Sequence, residues 1–212
     1  MKIPNEMIFS ILRTICKQNP GDSYYQNYIW HYQKHGDKFY DTYHFAWERV
    51  IECRPRRILE IGTRTGISMA QLLSAYMDYS GIERIVSCDP FNDGYISPNI
   101  VKVNLGLVGI PDDVIAKIEF MVGDSKDIIP TLDDKFDYIL VDGSHDKKDA
   151  KQDLENVINL VSDNGVIIFD DISMDGCDLI DVWNEFKHNH YDNFMWTENL
   201  NGKGIGYAIK NG

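Results

Sequence analysis

Arg57-Ile-Leu-Glu-Ile-Gly-Thr-Arg-Thr-Gly-Ile-Ser-Met69 decides the fold: an apolar run carrying one acid turns through two glycines into a segment of helical periodicity. Ile58, Leu59 and Ile61 read as a buried parallel strand, and Ile67, Ala70, Leu73 and Met77 recur at the spacing of one helix face. The turn between them suits a ligand, because Gly62 and Gly66 permit close backbone approach and a new helix presents unpaired N–H groups. Its Gly-x-x-x-Gly spacing lacks the middle glycine of the dinucleotide fingerprint. Glu60, just before the turn, would repel a pyrophosphate and suits a cationic ligand such as S-adenosylmethionine (SAM).

Outward from this turn the chain alternates strand and helix. Strands are expected near 57–61, 84–88, 117–122, 136–141 and 165–169, and helices near 66–79, 98–108, 146–162 and 176–189, with a short helical turn within 111–118. This alternation predicts a doubly wound α/β sheet. Asn193-Phe-Met-Trp-Thr197 and Gly204-Ile-Gly-Tyr-Ala-Ile209, joined through Asn201-Gly202, read as a closing hairpin. Polar residues end the apolar strands: Asp89, then Asp124 and Ser125, then Asp142-Gly-Ser-His145, then Asp170-Asp171. Ligands of open α/β sheets bind beyond these carboxyl ends, and Asp89, 27 residues after Gly62, stands where an acid accepts ribose hydroxyls.

Glu60-Ile-Gly-Thr-Arg-Thr-Gly66, Asp89, Gly123-Asp124-Ser125 and Asp142-Gly-Ser-His145 together resemble class I SAM-dependent methyltransferases over roughly residues 50 to 210. The resemblance implies a seven-stranded, mostly parallel Rossmann-like sheet with an antiparallel last strand. It divides the chain into an N-terminal helical cap or lid, residues 1–50, and a SAM-binding methyltransferase domain, residues 51–212. It implies SAM contacts from Glu60, Gly62, Gly66 and Asp89, with Asp124 and Ser125 at the adenine edge and Pro90-Phe91 as a wall for the ring. For Glu60, support of the turn and contact with the amino-acid moiety both stay open.

If the strands ending at Asp142 and Asp170-Asp171 are neighbours, their tips lie about 5 Å apart, and like charges that close raise each other's pKa unless a cation is present. A divalent metal resolves the conflict, and all-oxygen ligands favour Mg²⁺, Mn²⁺ or Ca²⁺ over zinc. Asp170 and Asp171 can both ligate only if the strand has turned between them. The arrangement resembles the metal-dependent O-methyltransferases of the catechol and macrolide-sugar types. His145 stands where the catechol enzymes carry a lysine base and the macrolide-sugar enzymes a histidine, and an imidazole suits proton removal near neutral pH. That departure speaks against a catechol acceptor. The implied activity is methyl transfer from SAM to a hydroxyl oxygen of a small molecule or glycan, with His145 and Asp142 catalytic and a metal on Asp142, Asp170 and Asp171. A metal-independent methyltransferase, a hydroxylase-like relative and a SAM-binding protein without catalysis stay as alternatives.

The 212 residues suit one α/β domain with a short extension. A net charge of −12, from 21 Lys and Arg against 33 Asp and Glu, excludes a nucleic-acid backbone as the main partner and leaves a small molecule or neutral glycan. Cys16, Cys53, Cys88 and Cys177 are too dispersed for a zinc or disulfide framework and read as reduced core thiols. Residues 1–19 read as an amphipathic helix, and residues 24–47 gather aromatics suited to a fixed cap or a mobile lid. His31 and His35, at i and i+4, read as surface residues. No apolar run approaches the ~18 residues of a membrane span, and Met7 to Cys16 is no signal peptide, so a cytoplasmic enzyme is expected, free to form a homo-oligomer.

Overall fold

The computed structural model describes residues 53–76, 79–92, 96–173 and 177–212. The expected cap or lid (1–50), the aromatic segment and the His31/His35 pair lie outside these residues.

Strand β1 (Arg57–Ile61) is central because its side chains are buried on both faces. Ile58 joins a core shared with helices α1 (Ile67–Ser74) and α2 (Pro98–Leu107), whereas Leu59 and Ile61 join the opposite core. The period of two therefore turns Glu60 toward the α1 side, where the Ser68 hydroxyl donates to its carboxylate at 2.6 Å. Around β1 lie β2 (Arg84–Asp89), β3 (Ile118–Val122), β4 (Phe136–Val141), β5 (Val161–Asp170), β6 (Phe194–Asn199) and β7 (Ile205–Lys210). They form one sheet in the order β3-β2-β1-β4-β5-β7-β6. Strands β1 to β5 pair in parallel, and β7 pairs antiparallel with both β5 and β6. The expected antiparallel closing hairpin is present.

The second face packs on α5 (Lys147–Val157) and α6 (Ile180–Asn189), whose Leu154, Val157, Trp183 and Phe186 are buried. Trp183 lies so close to Gly206 of β7 that an added Cβ there would come within 2.5 Å of the indole. The short helices α3 (Asp112–Ile115) and α4 (Ser125–Ile128) flank β3. Local signals set the helix starts. Ser97 accepts the Ile100 N–H ahead of Pro98, and Asp146 accepts from the Lys148 and Asp149 amides.

Four boundaries differ by several residues from the sequence expectation, one of them the start of α6 at Ile180 rather than 176. Helix α1 ends at Ser74 rather than 79, and α5 ends at Val157 because β5 begins at Val161, well before 165. Val161 pairs with Phe136, the register then shifts, and pairing resumes at Tyr138 with Val166. Ser162-Asp-Asn-Gly165 is thus an irregularity inside a strand, with Asn164 at φ 61. Such a polar stretch is indistinguishable in sequence from a loop. Among the described residues, no helix is long and apolar enough to cross a membrane.

Candidate active site

Every parallel strand delivers its carboxyl end to one edge of the sheet, and a cavity of about 360 Å³ opens there, within the usual range for small-ligand sites. Gly62, Thr65, Asp89, Ser125, Asp142 and His145 are among its walls.

The glycine turn is fixed by the protein itself. Gly62 (φ 87) donates its N–H to the Cys88 carbonyl at 2.9 Å, while Asp142 donates to the Ile61 carbonyl at 2.9 Å. A Cβ on Gly62 would sit 1.8 Å from the Asp142 carbonyl oxygen, and one on Gly66 (φ 83) 2.7 Å from Val101 of α2. Strand packing and left-handed backbone thus require these glycines independently of any ligand. Asp89, 6% exposed, spans two turns by accepting from the Arg64 N–H at 2.8 Å and the Phe91 N–H at 2.7 Å. Each carboxylate oxygen retains acceptor capacity.

Glu60 does not line the cavity. Burial raises its pKa to about 7, against hydrogen bonds from Ser68 and Thr63 that lower it. Asp124 caps α4 by accepting the Lys126 N–H, and the Ser125 hydroxyl donates to Asp153 Oδ1 at 2.6 Å. Asp153 is fully buried, burial lifts its pKa to about 6, and Oδ2 has no hydrogen-bond partner. The sequence reading missed Asp153, yet a signal was there. It shares the apolar stripe of α5 with Ala150, Leu154 and Val157, an unusual place for an acid.

The acids of β4 and β5 converge. Carboxylate oxygens of Asp142, Asp170 and Asp171 lie within 4.8 Å of one another. Strand β5 stops at Asp170 and Asp171 takes φ 62, so the chain turns between the two acids as their joint use requires. Burial, then the Asp170 charge, raises the Asp142 pKa well above the carboxylate range, although Lys203 opposes the rise. Burial would raise Asp171 too, but His145 and Lys203 hold it down at about 2. His145 Nε2 lies 3.0 Å from Asp171 Oδ2, and Lys203 Nζ lies 2.6 Å from Asp171 Oδ1 and 3.7 Å from Asp170 Oδ2. Lys203 was not anticipated: it comes from the β6–β7 loop, which only the strand order brings beside β5. Of the three described cysteines only Cys88 is core; Cys53 is exposed and half-buried Cys177 donates to Asp171 at 3.6 Å, correcting the expectation of core thiols.

The family described as "Methyltransferase domain" matches residues 59–172, which hold this edge from β1 to Asp171. No curated protein matches the chain. Among solved structures, the O-methyltransferase TomG from Streptomyces achromogenes, involved in tomaymycin synthesis and in complex with SAM, is 20% identical. It covers 100% of this chain and 92% of its own with a TM-score of 0.65. An O-methyltransferase from Bacillus cereus in complex with SAH is 20% identical, with coverages of 98% and 92% and a TM-score of 0.64. Cofactor-bound Rv0187 from MTB is 23% identical, with coverages of 78% and 78% and a TM-score of 0.61. At these identities the likeness is one of fold.

Proposed function

The chain belongs to the methyltransferase-domain family, matched over more than half its length, and we propose that it moves the methyl group of SAM to a hydroxyl oxygen of a small molecule or glycan. The observation that carries this reading is the adjacency of two sets of groups at one sheet edge. A cavity bordered by Gly62, Asp89, Asp124 and Ser125 opens onto Asp142 and His145, and these onto Asp170 and Asp171. The SAM- and SAH-bound O-methyltransferases of the same fold support the choice of donor and of oxygen as acceptor.

Asp89 would take the ribose hydroxyls on the acceptor positions its two amide bonds leave, and Asp124 and Ser125 would border the adenine. Glu60 would act through the turn, since Ser68 of α1 holds its carboxylate. Asp142, Asp170 and Asp171 offer a divalent cation an all-oxygen donor set of matching size, in a cluster where burial and the neighbouring Asp170 charge raise the Asp142 pKa and Lys203 opposes the rise. Bound there, Mg²⁺ or Mn²⁺ would supply Lewis acidity to the acceptor oxygen.

Asp171, held ionised, accepts Nε2–H of His145, which leaves Nδ1 as the basic nitrogen. Nδ1 takes the hydroxyl proton as the oxygen forms its bond to the methyl carbon. The carbon–sulfur pair returns to sulfur, giving neutral S-adenosylhomocysteine. The rest is positioning, since in-line attack needs the reacting atoms held near contact. The net charge of −12 sets nucleic acid aside as acceptor, and the buried Cys88 thiol fits a reducing cytoplasm. The test is transfer of labelled methyl from SAM to a panel of phenols, polyketides and sugars, with chelator and with Mg²⁺ or Mn²⁺ restored. Label on oxygen that falls with chelator and returns with metal supports the reading; full activity in excess chelator overturns its metal part.

A further inference from the structure

The β6–β7 loop is locked onto the chain just beyond Asp171. Ser173 donates its N–H to the Lys203 carbonyl at 2.8 Å and its hydroxyl to the Gly202 carbonyl, and Ile172 donates to the Gly204 carbonyl at 3.3 Å. Gly204 (φ 76) approaches so closely that a Cβ would lie 2.6 Å from the Ser173 nitrogen. These contacts aim the Lys203 side chain, 16% exposed, into the acid cluster, with Nζ 2.6 Å from Asp171 Oδ1. Mg²⁺ and Mn²⁺ bind carboxylate oxygens at about 2.1 Å. An ammonium and a divalent ion would then share Asp171 and Asp170 at a separation where two positive charges repel strongly.

We propose that Lys203 is the acid cluster's resident cation and competes with the divalent metal, which binds only as the ammonium leaves Asp171. The inference rests on the metal part of the function above. In that state the lysine neutralises one charge of the cluster, keeping buried Asp170 and Asp171 tolerable beside Asp142 when no metal is bound. Its cost is a weakened affinity for metal.

Mn²⁺ binding, followed by the electron paramagnetic resonance of the free ion, tests this on the wild type, Lys203→Met and Lys203→Arg. Lys203→Met removes the competitor and should bind Mn²⁺ roughly tenfold or more tightly, while Lys203→Arg, which keeps the charge, should not gain. If Lys203→Met is unfolded without metal, Mn²⁺ should restore its thermal transition, and failure to do so overturns the proposal. Equal or weaker Mn²⁺ binding by Lys203→Met, or no binding by any of the three proteins, also overturns it. Calorimetry with SAM on the same samples reads the methyl-donor assignment separately. Loss of SAM binding by the wild type would fail that assignment whatever Mn²⁺ does.

Discussion

Glu60→Gln should make the protein less sensitive to alkaline pH. Glu60 is 2% exposed, and in the folded chain it holds its proton to about pH 7 against an ordinary value of 4.5. Between those values the folded state binds more protons than the unfolded one, so stability falls as pH rises through the window and the loss is complete above pH 7. At 1.36 kcal/mol per pH unit, the interval from 4.5 to about 7 is worth about 3 kcal/mol. Glutamine keeps the shape and can still accept from Ser68, but it cannot ionise. Urea denaturation of both proteins at pH 4.5 and pH 8 should show the stability difference, variant minus wild type, growing by about that amount. Groups such as Asp142 and Asp153 titrate in both proteins, so their contributions largely cancel in the difference. A gap that stays constant within about 0.5 kcal/mol between the two pH values would refute the argument that β1 buries a strained carboxyl.

Gly62→Ala must move either β1 or the Asp142 carbonyl, since the new methyl would start 1.8 Å from that oxygen; a loss of about 2 to 5 kcal/mol in chemical denaturation is expected, with SAM binding lost too. His145→Ala should lower kcat by about 10²- to 10⁴-fold while SAM binding by calorimetry stays unchanged, if the imidazole takes the acceptor's proton as proposed and holds no donor. A variant within a few-fold of the wild type would remove His145 from the chemistry.

Period and punctuation made most of the architecture readable. The apolar run of β1 around its single acid, the glycines at 62 and 66 and the hairpin signal Asn201-Gly202 placed the parallel centre and the antiparallel close. Strand-end acids were legible for the same reason, since a polar residue after an apolar run marks the edge where an α/β sheet binds ligands. The packing demand on the two glycines was not legible, because what their missing Cβ atoms avoid is the Asp142 carbonyl and Val101, both distant in sequence. Nor was Lys203, whose place beside Asp171 depends on β7 lying against β5. The left-handed turn at Asp171 escaped local reading too, since no glycine marks it. Asp153 was readable in principle, as the one acid in the buried stripe of α5, and its partner Ser125 was singled out without it.

The most direct test of the central claim is calorimetric binding of SAM and S-adenosylhomocysteine to the wild type and Asp89→Ala. Asp89 joins the turns after β1 and β2 through Arg64 and Phe91, at the wall where the ribose would lie. The account predicts that the wild type binds both ligands and that the variant binds them at least roughly tenfold more weakly. Wild-type protein that binds neither, or that prefers NAD to SAM, would contradict it.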